Sequence, residues 1–316
     1  PLAYEYYLRG LSYPRSNDGD RLAIEMFTKS VELDSTYAPA YDQLGDRIKS
    51  LAQFGLLSFE ETAKAEAYFQ KALSINDLSL SALSNLAMLY TETARTDEAV
   101  EITRRVLEIN PNDAQAHFSL GYIYRFSGML QESVVEMEKA VALDPDNASF
   151  RSLGVTYMNL GEYDKAFKAL ELDNGGAYEF GYKGLILARS GKKEQALPYF
   201  DRVIAMESQK LWSLVAKTIK AYFEGDTTAG LEAIHELEIA NLTDAEAWYY
   251  WGAHYALLGD TDGYVRCFNR AISGGYFNYP FMLTDPFLDG VREQPEFQEI
   301  LQIAKQEHEA FKRKFF

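Results

Sequence analysis

The chain has 316 residues, with 31 Lys plus Arg against 47 Asp plus Glu, a formal net charge of -16. That field repels a nucleic-acid backbone and so argues against DNA or RNA as a partner. One cysteine, Cys267, excludes an internal disulfide framework and fits a reducing, cytoplasmic setting. With 47% hydrophobic residues the chain can fill a continuous core, and it holds no run of 18 apolar residues that would insert into a membrane. It begins at Pro1 rather than Met, so we expect a processed form or a fragment, with any upstream domain or targeting signal out of view.

The predicted elements follow a spacing of 34 residues. Leu86-Ala87-x-x-Tyr90 with Ala99, Val106 and Pro111 superposes on Leu120-Gly121-x-x-Tyr124 with Ser133, Ala140 and Pro145. A period of this length marks a helix–turn–helix repeat. In chain order, Gly10, Gly45, Ala87, Gly121, Gly154, Gly184, Thr218 and Gly252 open eight units as the first small residue. Ala23, Ala65, Ala99, Ser133, Ala166, Ala196, Gly230 and Tyr264 follow on the second helix of each unit. Four residues later come Phe27, Phe69, Thr103, Met137, Leu170, Phe200, Ile234 and Phe268. Small residues belong where two helices cross most closely, and large ones fill the space beside the crossing. Ser58-x-x-Glu61 and Thr243-x-x-Glu246 read as capping boxes.

Three places break the pattern. The second unit is eight residues longer than the regular ones, and the extra stretch near 50–60 is apolar. Phe54, Leu56, Leu57 and Phe59 crowd there; we expect them to cover the first repeat, the alternative being a homodimer interface. The fifth unit breaks early at Leu172-Asp173-Asn174-Gly175-Gly176, where Asp173 stands in place of a small apolar residue. After about Gly274 the repeat stops. Pro295 then suits a helix start, and Phe297, Ile300, Leu301, Ala304 and His308 follow at helical spacing. This reading gives a solenoid over 1–274 and a capping segment over 275–316.

The pattern resembles the tetratricopeptide repeat, with its large residue at position 4, Leu-Gly at 7 and 8, aromatic at 11, Ala at 20 and 27, and Pro at 32. The resemblance implies an all-α, right-handed superhelical solenoid of about eight repeats and a non-catalytic role in binding other proteins. Two strings, Ala3-Tyr4-Glu5-x-Tyr7-Leu8-Arg9-Gly10 and Asp285-Pro-x-Leu288-x-x-x-Arg292-x-x-Pro295-x-Phe297, are similar to the C-terminal repeat regions of bacterial signalling proteins. Those regions follow cyclase, kinase or winged-helix domains, so the implied role is regulatory or scaffolding.

The resemblance also places a binding surface, because the first helix of each repeat lines the inner face in this family. Carried over position by position, it puts Phe118, Tyr122, Arg125, Tyr178, Trp212, Tyr222 and Tyr249 on that face, with Tyr182 adjacent. An aromatic, charge-poor groove suits a peptide or partner protein. The alternative function is a small-ligand sensor controlling an upstream catalytic or DNA-binding domain. The second repeat has Asp42 and Asp46 where chaperone-binding members carry Lys and Asn, and only Asn85 fits the asparagine ladder of glycosyltransferase-associated members.

No chemistry presents itself in the residue spacings. His117, His235, His254 and His308 make no metal-ligand pair, and His117 falls on a packing position. Cys267 next to Phe268 reads as a buried, inert thiol. No glycine-rich phosphate loop exists. We therefore expect no enzyme, no catalytic residues, no cofactor and no metal.

Overall fold

The computed structural model describes residues 2–53, 59–206, 210–239 and 242–316. Among them are eighteen α-helices and no strand. The chain divides into two compact units, Pro1–Pro111 with Leu242–Asp244, and Asn112–Asn241 with Ala245–Phe316.

The first unit holds three helix pairs. They are α1 (Leu2–Ser12) with α2 (Asn17–Leu33), α3 (Ala38–Gln53) with α4 (Phe59–Ile75), and α5 (Leu80–Glu92) with α6 (Thr96–Ile109). The lengthened second repeat shows as an α3 that runs on to Gln53. Phe54, Leu56 and Leu57 lie outside the described residues, as does the side chain of Phe59.

The second unit holds five more pairs. They are α7 (Ala114–Phe126) with α8 (Leu130–Leu143), α9 (Leu153–Asn159) with α10 (Tyr163–Leu170), and α11 (Ala177–Arg189) with α12 (Lys193–Ile204). Next come α13 (Lys210–Glu224) with α14 (Thr227–Ile239), and α15 (Ala245–Leu258) with α16 (Thr261–Ser273). Then follow α17 (Tyr279–Thr284), a 3-10 turn over Pro286–Leu288, and α18 (Pro295–Phe315).

The small-residue register is what lets these helices touch. A Cβ placed on Gly10, Gly45, Gly184 or Gly252 would stand 2.4 to 2.7 Å from the ring of Phe27, Phe69, Phe200 or Phe268 respectively. On Gly121 and Gly154 it would meet Met137 and Leu170. Each partner is the residue that the 34-residue register assigns to that glycine. The alanines of the second helices, Ala23, Ala65, Ala99, Ala166 and Ala196, are fully buried. Ser133, their counterpart in the fourth repeat, turns its hydroxyl to the Gly121 carbonyl at 2.6 Å, so its polarity is satisfied within the crossing.

Helix starts are capped by side chains. Asp113, Asp226 and Asp260 accept from the main-chain N–H of Ala116, Ala229 and Gly263 at 2.8 to 3.0 Å. The irregular fifth repeat is held the same way. After α10 the chain makes a 3-10 turn over Glu171–Asp173 and a left-handed residue at Asn174. Asp173 then accepts from the Glu179 N–H at 3.1 Å and pairs with Arg151 at 3.1 Å. The misplaced aspartate is a cap, and the fold absorbs the shortened repeat.

The segment after Gly274 does more than close the end of the array. Phe297 packs on Phe268 of α16, as a cap should. The same segment also reaches the first helix of its unit. The Phe277 N–H donates to the Phe126 carbonyl at 2.9 Å, His308 bonds the Ser127 carbonyl at 2.7 Å, and Phe311 and Phe316 pack on Tyr124.

Candidate partner-binding surface

The inward side chains of the second unit come together as a layered aromatic cluster. Phe118 stacks on Phe150 at 5.0 Å, and Tyr122 packs on Phe126 at 4.5 Å. Tyr178 and Tyr182 lie 4.6 Å apart, and Trp212 meets them edge-on at 5.6 and 5.0 Å. Tyr250 joins Tyr182 at 6.0 Å and Tyr249 at 5.5 Å. Ring pairs at these separations and angles add to what area burial alone supplies. Seven of the eight residues singled out in the sequence share this cluster or border it. Tyr222 does not: it is 41% exposed and stands beside Phe223.

The face is not open along its length. Phe118, Tyr122, Tyr182 and Tyr249 are buried, while Tyr178 and Trp212 keep partial exposure at its margin. Residues 276–288 cover it at Tyr249 and Phe126. Tyr276 packs on Phe126 and Tyr249 at 5.1 Å each, and Phe281 packs on Tyr249 at 5.4 Å. Burial raises the Tyr178 hydroxyl to about 12 and pushes those of Tyr249, Tyr250 and Tyr276 well above their ordinary value. These hydroxyls therefore act as neutral hydrogen-bonding groups.

Two ion pairs sit inside the aromatic layer. Arg125 at the end of α7 donates to the Ser152 carbonyl and hydroxyl at 2.9 and 2.8 Å and to Glu246 on α15 at 2.8 Å. Arg189 at the end of α11 grips both oxygens of Asp285 at 3.0 and 3.2 Å, and Tyr249 donates to the same carboxylate at 3.0 Å. Burial opposes the charge on both arginines most strongly, but the facing carboxylates together with the surrounding tyrosines outweigh it and keep them protonated. Arg125 was legible as an inward residue. Glu246, Arg189 and Asp285 were not, because their partners lie about a hundred residues away in sequence. The only sequence signals were Glu246 in an apparent capping box and Asp285 in the string after the repeats.

The inward positions of the first unit are polar instead. Asp42 accepts from Ser81 at 2.6 Å and Asn85 at 3.0 Å, and burial raises its carboxyl above the ordinary range. Arg47 is buried and donates to Asp20 and to the Tyr13 and Pro14 carbonyls. Asn85, the sole match to an asparagine ladder, is thus committed to Asp42.

Among the described residues no group of three or more His, Cys, Asp or Glu is arranged to hold a metal ion. His117 is buried and paired with Glu136 at 2.5 Å. His308 is half-buried against the Ser127 carbonyl. Cys267 is buried, with its thiol pushed up to about 12 by desolvation. No described helix is long and apolar enough to cross a membrane.

Comparison with known proteins agrees with this architecture. Models described as "Tetratricopeptide repeat" match residues 56–120 and residues 114–147 and 152–172. Superkiller protein 3 of Schizosaccharomyces pombe is 25% identical over 224 residues, which is 66% of this chain and 16% of that protein. BBSome complex member BBS4 of Bos taurus is 29% identical over 180 residues, 54% of this chain and 34% of that protein. The chain thus spans about a third of the length of one of these relatives and about a sixth of the other. In the APC/C hetero-tetramer Cut9-Hcn1, a chain superposes with a TM-score of 0.57 at 13% identity, covering 96% of this chain and 67% of that one. Helix pairs, register and relatives together identify an all-α solenoid built of tetratricopeptide repeats.

Proposed function

We propose that this chain is a protein-interaction scaffold that receives a peptide or partner protein on the inner aromatic face of its second unit. The observation that carries the reading is convergence. Phe118, Tyr122 and Arg125 on α7, Tyr178 and Tyr182 on α11, Trp212 on α13 and Tyr249 on α15 meet in one layer. Rigid rings with polar tips anchor a partner at low entropic cost, and Arg125 adds a fixed charge among them. Tyr178 and Trp212, partly exposed at the margin, are where a partner makes first contact.

Several of the similar proteins are named as members of assemblies, the BBSome and the anaphase-promoting complex among them, which supports a scaffolding role. The two terminal strings support placing this scaffold as a cytoplasmic regulatory region of a bacterial signalling protein. The test is calorimetry with a partner purified on the unaltered chain. Tyr122→Ala together with Tyr182→Ala should weaken binding by at least about 30-fold, the cost of truncating a single aromatic anchor worth about 2 kcal/mol. Unchanged affinity, in a double variant that still melts cooperatively, removes the inner face as the site.

One observation favours a small-ligand sensor as the second reading. Arg125 Nε, Asn159 Nδ2 and Arg189 Nη1 are buried donors without an acceptor. A small polar ligand would supply one. A thermal-shift screen of metabolites and nucleotides decides this reading, since a ligand of the folded state raises the melting temperature.

A further inference from the structure

The inner face of the second unit is occupied by a segment of its own chain. Between Gly275 and Gly290 a strap lays Tyr276, Phe281, Asp285 and Phe287 against α7, α11 and α15. Arg189 and Tyr249 clamp the Asp285 carboxylate, and the Arg189 guanidinium lies 4.0 Å from the centre of the Phe287 ring. A main-chain bond from Phe277 to Phe126 adds backbone recognition. A fork for a carboxylate, ring walls beside it and a main-chain bond are how a receptor holds a peptide.

The seat is imperfectly satisfied while the strap is in place. Arg189 Nη1 and both ring nitrogens of His254, which packs near Phe287, are buried and have no hydrogen-bond partner. Each is a polar group that water would satisfy if the strap left, so the closed arrangement is held by a smaller margin than the apolar crossings around it. Glycine flanks the strap at both ends, although Arg292 beyond Gly290 donates back to the Met282 and Asp285 carbonyls. Gly275 already takes φ +98, and a side chain at Gly290 would meet nothing within 4 Å. Helix α18 has attachments of its own to Phe268 and Tyr124, so it stays anchored when the strap, α17 included, parts from Phe311 and His308.

We propose that residues 276–289 are an intramolecular ligand that holds the inner face shut. A partner peptide bearing a carboxylate next to an aromatic residue takes their place on Arg189 and Tyr249. The proposal rests on the reading that a peptide binds this face, but it is tested without the partner.

Native-state hydrogen exchange on the unaltered chain comes first. The amides of Phe277, Met282 and Leu288, bonded to Phe126, Asn278 and Asp285, should exchange at least tenfold faster than the core amides of α15. A labelled synthetic peptide of residues 279–291 is then titrated by fluorescence anisotropy. It should bind the Asp285→Asn chain at least tenfold more tightly than the unaltered chain. That gain should vanish when the peptide carries Asn at the position of Asp285, or when Arg189→Met is added to the chain. Strap amides that exchange only with α15 overturn the proposal, because the strap is then permanent core. Opening without peptide capture, or capture indifferent to the carboxylate, overturns it as well. If Asp285→Asn fails to fold, the exchange rates of the unaltered chain decide alone. Failure of the inner-face reading shows separately, as the indifference of a partner to Tyr122→Ala with Tyr182→Ala.

Discussion

Arg125 and Glu246 stand 121 positions apart in sequence and 2.8 Å apart in the structure, with side chains 1% and 7% exposed. The pair joins the last turn of α7 to the first turn of α15. A charge that deep survives only with its partner, because water cannot reach it. Glu246→Leu should therefore cost about 3 kcal/mol of unfolding free energy, as should Arg125→Met. The double variant Arg125→Met with Glu246→Leu should lose less than either single change, since no charge is left stranded. Urea unfolding of the four chains measures this cycle, and additive losses would show that the pair is uncoupled.

Ala94 carries a left-handed backbone, φ 60, seven residues after Ala87. In every later repeat the equivalent position is a glycine with φ between 72 and 78, namely Gly128, Gly161, Gly191, Gly225 and Gly259. A Cβ is disfavoured in that region by about 1–2 kcal/mol, part of which the greater freedom of glycine in the unfolded chain takes back. Ala94 is exposed, so no packing is lost with its methyl. Ala94→Gly should stabilise the first unit by about 0.5–1 kcal/mol. A lower melting temperature for this variant would contradict the strain.

His254 gives the protein an acid-sensitive element. Burial first, and Arg189 second, hold its imidazole at about 3, against an ordinary 6.5. As pH falls through 6.5 the unfolded chain takes up a proton on this ring, whereas the folded chain does not until about 3. The stability tied to the neutral ring is thus present in full above pH 6.5 and is lost as pH falls towards 3, by up to about 1.4 kcal/mol per unit. Replacing the ring by His254→Phe removes this slope. Between pH 7.5 and 5.0 the parent chain should lose about 2 kcal/mol more than the variant in urea titrations. Equal losses would place a partner on the imidazole.

Cys267 should be silent towards thiol reagents in the folded chain. It is buried beside Phe268, and desolvation raises the thiol to about 12, so almost no thiolate exists at neutral pH. Aromatic-disulfide titration should show no reaction until denaturant unfolds the second unit, then one equivalent. Prompt reaction of the native protein would count against this packing.

The parts of the fold visible in the sequence are those set by short-range spacing. Gly184 and Phe200 are sixteen residues apart, as are Gly45 and Phe69 once the insertion of eight is removed, and both pairs meet as the register says. The inner-face residues were legible for the same reason, since they ride on helices whose phase the small residues define. What was not legible is how far that face is covered. Tyr122, Tyr182 and Tyr249 have the composition of an open groove, but neighbouring rings cover Tyr122 and Tyr182, and residues 276–288 cover Tyr249. Nothing in the spacing of Arg189 and Asp285 announces that they meet, because their approach depends on the summed rotation of several repeats. The early break at Asp173 was visible as an anomaly but not as a cap, since its contacts with Arg151 and Glu179 run across a turn rather than along a helix.

The bond from Ser127 to His308 has a bearing on how the second unit is made. A repeat array whose members touch only neighbours can form from any point and grow one repeat at a time, and each repeat is nearly finished when the next emerges from the ribosome. Here α7 is the first helix of its unit to be synthesised, and it waits for the last. Its Tyr124 gains the rings of Phe311 and Phe316 only when these have been translated. The unit therefore completes late, by one long-range closure between α7 and α18.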